Sequence, residues 1–596
     1  MDGFYKRISD TSSESIPSNE QEPSDGKGNG RIKTIDPEQT YLSAADKTAS
    51  ASSPPTTSLM QRKVTHLLQQ KPARELYIRS GVNPQSELTQ LIDEELPVDY
   101  SLILAYKSKG LERDFNCKAT SKKDQQLITC RHLAYAFATG VFGEKIQDGK
   151  AVAKGQKFAG VDSLDKIANH PSIPTDEQLG NTPEFFGIAK EGYYFAGQAI
   201  GLSIHRAAQK LSYEWDSKCY LVHSENHSMA LAIERLADSS FKLAFYEPGD
   251  TTRVRRIVVS NLEALKKITI KDLIPNSNDA AQCLLGAAHG GLLCSTDTVK
   301  TASDAQIEID GNINASIMQL LMQRGHLGNK DTKDRVYKQL QLNSNDQAHL
   351  ERIFEGKSTN GGTPALFIAM QNGHPETITA FFKGIKSLGL ANDKAFLKDL
   401  VTAERKDETP GLFMAIQFGH PETITAFFEG IKSLGLAGDK NFLKDLVTAE
   451  NKDGIPGLLI ALHLGRPKTI EALFTGVENL DMSAQDKNDL LKNPLWNGLS
   501  GIKNALQEEK EATVATYLNL MMKKKFITPE TLNNALNEVV SSNKLTLEQL
   551  MPYFTNMIKH NRATADELKN TYENQLKNYG INQLSTFWGE LQKVRP

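Results

Sequence analysis

Thr363-Pro364-Ala365-Leu366-Phe367-Ile368-Ala369 returns as Thr409-Pro410-Gly411-Leu412-Phe413-Met414-Ala415, and again as Ile455-Pro456-Gly457-Leu458-Leu459-Ile460-Ala461. The prolines at 364, 410 and 456 lie 46 residues apart. Between them, Gly373-His374-Pro375-Glu376-Thr377-Ile378 matches Gly419-His420-Pro421-Glu422-Thr423-Ile424 and Gly465-Arg466-Pro467-Lys468-Thr469-Ile470. Chance does not keep so many positions in register, so the region is an internal repeat. Each unit carries an apolar face that only a neighbour can cover, which predicts a stacked solenoid.

The Thr-Pro-x-Leu start, the Gly-His turn and the second helix that follows resemble ankyrin repeats. The period departs from that family, whose units run to about 33 residues. The additional segment Phe396-Leu397-Leu400-Val401 is apolar at helical spacing and predicts a third helix in each unit. The region is therefore read as ankyrin-like. His374 and His420, in the turns, are read as hydrogen-bonded structural residues, because metal ligands must converge in space.

Outward from the repeats, the chain divides into four parts. Residues 1–60 are rich in Ser, Thr, Asp, Glu and Pro, as in Ser12-Ser13-Glu14-Ser15 and Ser52-Ser53-Pro54-Pro55. Such a segment buries too little apolar area to offset its entropy and is expected to be disordered. Residues 61–310 are expected to form an α+β domain, with an amphipathic helical stretch over 61–100 around Leu67, Leu68, Leu76 and Ile78. The repeats are assigned to 311–495. Residues 496–596 are expected to form a helical cap or bundle, with helix starts at Thr528 and Thr546.

In the α+β part, Cys219 to Val222, Met229 to Leu236 and Phe241 to Tyr246 have strand character, and Ala237 to Ser240 reads as a hairpin turn. Helices are expected from Cys130 and over Phe195 to Leu211.

Bulk properties exclude several classes. Sixty-nine Lys and Arg against 72 Asp and Glu give a net charge of −3, so no global field draws nucleic acid. The basic run Arg253 to Arg256 is read as a solvated strand edge. No apolar run reaches the roughly 18 residues of a membrane span, and the N-terminus lacks the apolar core of an ordinary signal peptide. The five cysteines (Cys117, Cys130, Cys219, Cys283 and Cys294) are widely spaced, with no CxxC. That pattern speaks for reduced thiols, neither a zinc site nor a disulfide framework. No phosphate-binding loop and no HExxH appears, and no cofactor is expected.

One constellation carries chemistry. A thiol nucleophile needs a helix N-terminus or a cation to favour its anion, a histidine to share its proton, and a third group to orient that histidine. Cys130 follows Leu127-Ile128-Thr129 and opens a segment with helical spacing (Leu133, Ala134, Phe137), with Arg131 adding positive charge. His132 is two residues on and points to another face of the helix. His227, where a loop enters the strand from Met229, is the candidate base, and His223 is its competitor. The third group comes from Glu247-Pro248-Gly249-Asp250. A two-residue hairpin loop at 238–239 makes partner numbers sum to 477 and sets Asp250 across from His227. A loop one residue longer or shorter changes the parity and favours Glu247. The backbone N–H of Cys130, with Gln125, Gln126 or Asn116, is a candidate oxyanion donor.

In their order and spacing, Cys130-Arg131-His132-Leu133, Asn226-His227-Ser228-Met229-Ala230 and Phe245-Tyr246-Glu247-Pro248-Gly249-Asp250 resemble the Shigella enterotoxin 2 / EspL family of injected effectors. That resemblance implies an α+β papain-like cysteine-protease domain followed by an all-α ankyrin-like solenoid. It implies Cys130 as nucleophile, His227 as base, and position 247 as the acid. The family has Asp at that position, and this chain has Glu247. Asp250 is the alternative acid. The implied function is a cysteine endopeptidase, secreted by a specialised route into host cytoplasm, acting on host proteins chosen by the repeats. The rival expectations are a degenerate scaffold that only binds host proteins, and an acyltransferase or deamidase using the same triad.

Overall fold

The computed structural model describes residues 120–138, 188–273 and 290–595, with short gaps inside each range, and a few short strands elsewhere. The segment expected to be disordered, together with Asn116, Cys117, Asp250 and Cys283, lies outside the described residues. Residues Leu88–Glu95 form a strand where a helical stretch was expected; Thr89 and Ile92 are β-branched and weaken a helix. The rest of 61–100 lies outside the described residues.

Seven strands of the central sheet are β1 (Glu191–Ala196), β2 (Ser217–His223), β3 (Ser228–Arg235), β4 (Phe241–Tyr246), β5 (Arg253–Val259), β6 (Gly290–Cys294) and β7 (Gln306–Asp310). They run in the order β5-β4-β3-β2-β6-β1-β7. The pairings are antiparallel except that of β7 with β1. The helix expected over Phe195 to Leu211 begins only at Ile200: α2 is Ile200–Ala208, and Phe195 belongs to β1. Gly197, at φ 52°, breaks the chain between them.

The register sorts side chains onto two faces. His223 lies opposite Ser228 on β3 and Leu292 on β6, and Leu292 lies opposite Tyr194 on β1. Tyr194, Leu221, Ala230, Tyr246, Leu292 and Cys294 join one buried cluster with residues of α1 (Cys130–Ala138) and α3 (Ala315–Gln323). Helix α1 packs on β3 and β2, and α3 packs on β6 and β1. Helix α2 packs on β1 and β3, with the turn Glu263–Lys267 against it.

Helix α3 also begins the helical array. Each repeat folds as three helices: Ala365–Asn372, Pro375–Ser387 and Lys394–Val401 in the first. The next are Gly411–Phe418, Pro421–Ser433 and Lys440–Val447, then Gly457–His463, Pro467–Glu478 and Ala484–Leu491. Gly373 and Gly419 close the first helices at φ 71° and 78°, where a side chain would be strained. Pro375, Pro421 and Pro467 open the second helices, where a missing N–H costs nothing. First helices stack on first helices and second on second, beginning with α3 and continuing into Gly501–Gln507 and Glu511–Lys523. The stacking thus continues beyond residue 495. Thr528 and Thr546 cap the helices Pro529–Ser541 and Leu547–Lys559 through their side chains.

A histidine joins sheet to array. His326 donates from Nε2 to the Ala189 carbonyl at 3.0 Å, and its Nδ1 accepts from the Tyr194 hydroxyl at 2.7 Å. His374 and His420 sit in the equivalent turns and bond the carbonyls of Gln323 and Gln371 at 3.1 and 3.0 Å.

Candidate active site

Cys130 is the first residue of α1. The chain reaches it through a tight turn: the Ser121 N–H donates to the Gln126 carbonyl (2.7 Å), and Gln125 takes the left-handed region at φ 60°. Thr129 is the residue before the helix, and its carbonyl accepts from the Leu133 N–H at 3.3 Å. His132 turns back to accept from the Thr129 N–H at 3.1 Å. This is the reciprocal half of a capping box, played by an imidazole. It fixes the start of the helix and occupies His132 with structure. Cys130 therefore stands at the N-terminus of α1, where the unpaired first N–H groups of a helix favour a developing negative charge.

The hairpin of β3 and β4 supplies the partners. Ala230 pairs with Tyr246 and Leu231 with Phe245, so partner numbers sum to 476. The expected two-residue loop is one residue longer. Ala237, Asp238 and Ser239 form it, Ser239 stands at φ 65°, and the Leu236 N–H closes on the Ser240 carbonyl at 2.8 Å. Asp238 stabilises the bend by accepting from the Ser240 N–H at 3.0 Å. The extra residue shifts the parity and brings Glu247 to His227. Nε2 of His227 lies 2.5 Å from Oε1 of Glu247, with the two side chains 15% and 21% exposed. Asp250 lies outside the described residues.

His227 stands between two partners. Burial alone pushes its pKa down. Hydrogen bonds to the Cys130 side chain and to Glu247, with the charges of both, outweigh burial and hold it well above the ordinary imidazole value. With Nε2 committed to Glu247, Nδ1 is the nitrogen left to face the sulfur. The structure thus brings Cys130, His227 and Glu247 together.

His223, the competing base, faces a different group. Its Nδ1 is 2.8 Å from the Ser228 hydroxyl, and it is fully buried. Burial, Arg324, Arg131 and His227 all push its pKa well below the ordinary value, so it stays neutral. Among the other described cysteines, burial lifts the Cys219 thiol to about 11 and also raises that of Cys294. Among the described residues no group of His, Cys, Asp or Glu is placed to hold a metal ion, and no helix is long and apolar enough to cross a membrane.

Sequence reasoning missed Arg324, at the end of α3, whose charge reaches the same patch as that of Arg131. No local signal marks it, since 193 residue positions separate the two arginines and only the sheet brings them together.

Comparison with known proteins adds an independent line. Residues 79–284 match the family described as ShET2 enterotoxin, N-terminal region, so the family resemblance drawn from the Cys130, His227 and Glu247 stretches holds. Among curated proteins, the chain is similar to the effector protease OspD3 of Shigella flexneri, at 23% identity over 330 residues. The match covers 54% of this chain and 54% of that protein, so the chain spans about half the length of the curated relative it matches. No solved structure matches the chain.

Proposed function

We propose that this chain is a bacterial effector that works inside host cells as a cysteine endopeptidase, with Cys130 as nucleophile, His227 as base and Glu247 as the residue that orients the imidazole. The observation that carries this reading is the position of His227, hydrogen-bonded to the Cys130 side chain on one side and to Glu247 on the other. The similarity to an effector protease supports it. The α1 helix seated on the sheet with its cysteine at the first turn supports a papain-like reading of the domain, and the stacked helices support an ankyrin-like reading of the array.

The chemistry follows from the geometry. The Cys130 sulfur attacks the scissile carbonyl carbon, its proton held on His227. The carbonyl electron pair moves onto oxygen, where the Cys130 backbone N–H is the proposed donor, with Gln125, Gln126 or Asn116 as a second. The C–N bond then breaks, and the His227 proton passes to the leaving amine. Water attacks the resulting thioester and gives its proton to His227. The acid product leaves, and the thiol is restored. Glu247 stabilises the imidazolium form throughout. In this reading the array selects host proteins. Its first helix α3 packs on the sheet, so array and site share one cluster of packed side chains.

The test is to add wild-type protein and Cys130→Ala to host-cell lysate and label new N-termini. Protein N-termini produced by wild type alone support the reading. The same N-termini from both proteins, or intact but modified targets, contradict it.

A further inference from the structure

Arg324 ends α3, a helix packed on β6 and β1, with its backbone N–H bonded to the Leu320 carbonyl. Its Nε is buried and has no hydrogen-bond acceptor. Among the described residues, no carboxylate pairs with its guanidinium. The residue as a whole remains partly exposed, so a ligand can reach it. A guanidinium N–H taken from water and left unbonded destabilises a fold unless something supplies the acceptor.

The surroundings locate it. Arg324 acts electrostatically on Tyr194, His223, Cys294, His326 and His374. Tyr194 and His223 flank Leu292 in one row across the sheet, and Arg324 lies two residues before His326, which bonds the Tyr194 hydroxyl at 2.7 Å. Arg131, the neighbour of Cys130, acts on His223 and Cys294 from α1. His223 in turn feels His227. Two cations, one from α1 and one from α3, therefore act on His223 and Cys294, and among the described residues no acid appears beside them there. His223 adjoins the base, since the N–H of the next residue, Ser224, donates to the His227 carbonyl at 2.9 Å. An Arg fork takes a carboxylate through two parallel hydrogen bonds, which neither water nor a neutral amide reproduces.

We propose that Arg324, aided by Arg131, forms a specificity subsite that receives an acidic side chain of the substrate close to the scissile bond. This rests on the thiol-protease reading and names the chemistry of the peptides that the site prefers. The acceptor that Arg324 Nε lacks among the described residues comes from the Asp or Glu side chain of the bound peptide.

The test uses the full-length protein and tetrapeptidyl acyloxymethyl ketones, which label a catalytic thiol. One Ala at a time in an all-Ala probe is replaced by Asp or by Asn, and the rate of Cys130 labelling is measured by intact-mass spectrometry. At one position the Asp probe outpaces the Asn probe by about tenfold, the size expected for one well-formed charged contact. Arg324→Gln brings that ratio close to one, and Arg324→Lys retains part of it. Arg335→Gln, on the far edge next to β7, leaves the ratio as in wild type and controls for a general loss of positive charge. The absence of an Asp preference at every position overturns the proposal, as does a ratio that persists in Arg324→Gln. Failure of every probe to label Cys130 is a different result: it defeats the protease reading itself and the subsite with it.

Discussion

Phe137 lies flat on Tyr246, with ring centroids 5.0 Å apart and planes 5° apart. Phe137 is on the helix that Cys130 opens, and Tyr246 is the last residue of β4, immediately before Glu247. This stacked pair is the mechanical link between nucleophile and acid. Both rings are essentially excluded from solvent. Phe137→Ala is expected to cost roughly 3–5 kcal/mol of stability, as for other buried Phe truncations. It is also expected to slow Cys130 alkylation in the fraction that stays folded. Urea unfolding and thiol labelling measure the two effects separately.

The acid at 247 is set by reach. His227 Nε2 and Glu247 Oε1 stand at 2.5 Å. Glu247→Asp shortens the side chain by a methylene and withdraws the carboxylate by more than an ångström. A misplacement of that size predicts a fall in kcat/KM of roughly 10- to 100-fold, measured on any peptide the wild type cleaves. Unchanged activity in Glu247→Asp would mean that another carboxylate holds the histidine.

His227 also fixes a pH dependence. Its pKa is held well above the ordinary value by Cys130 and Glu247 against the effect of burial. Activity that requires protonated His227 therefore persists above neutral pH and is lost on the alkaline side as the imidazolium gives up its proton. Glu247→Gln removes one of the supports, so the alkaline limb of kcat/KM moves to lower pH. A limb that stays in place contradicts the role given to Glu247.

The array makes its own prediction at Gly430. A Cβ there would come within 1.9 Å of the Phe382 ring, and one at Gly476 within 2.1 Å of the Phe428 ring. Each glycine is the seat for a phenylalanine of the preceding repeat. Gly430→Ala is expected to destabilise by roughly 1–3 kcal/mol through overpacking, despite the better helix propensity of alanine. The urea midpoint checks it.

The histidines at the turns predict acid sensitivity. Burial, the largest effect, lowers His326 to about 3 and His374 and His420 to about 4. The unfolded chain takes up these protons near pH 6.5, before the folded chain does. Their contribution to stability is therefore complete above pH 6.5, falls as pH drops toward 4, and is gone below the folded values. The urea midpoint should decrease from pH 7 to pH 4.5, and His374→Gln with His420→Gln should flatten that slope. An unchanged slope contradicts the account.

The repeats were legible because proline, glycine and histidine recur at positions where backbone geometry needs them. The same pattern hides its own limits. Neither α3 nor the helix from Gly501 keeps the Thr-Pro start, so the stack reads three units long in sequence and continues at both ends in space. The hairpin of β3 and β4 was legible from alternation. Its loop length was not, because Ser239 adopts a positive φ without being glycine. Strand β1 was merged into the following helix, since Phe195, Ala196 and Ile200 sit at spacings that also suit a helix. Strands β6 and β7 were invisible: Gly290-Gly291 and Glu308 have weak strand preference, and pairing with β1 decides their conformation. In the site, Cys130 and His227 announce themselves by local context. Arg324 does not, because its meaning comes only from what the sheet places around it.

The central claim is that Cys130 is the thiol made reactive by His227. The direct measurement is the rate at which each cysteine of the native protein takes up iodoacetamide at pH 6.5, resolved by peptide mass spectrometry. Cys219, lifted to about 11, and the buried Cys294 provide the internal baseline. The account predicts that Cys130 is modified at least about 100-fold faster than either, and that His227→Ala removes most of that difference. Equal rates for Cys130 and Cys219 in the folded wild-type protein would contradict it.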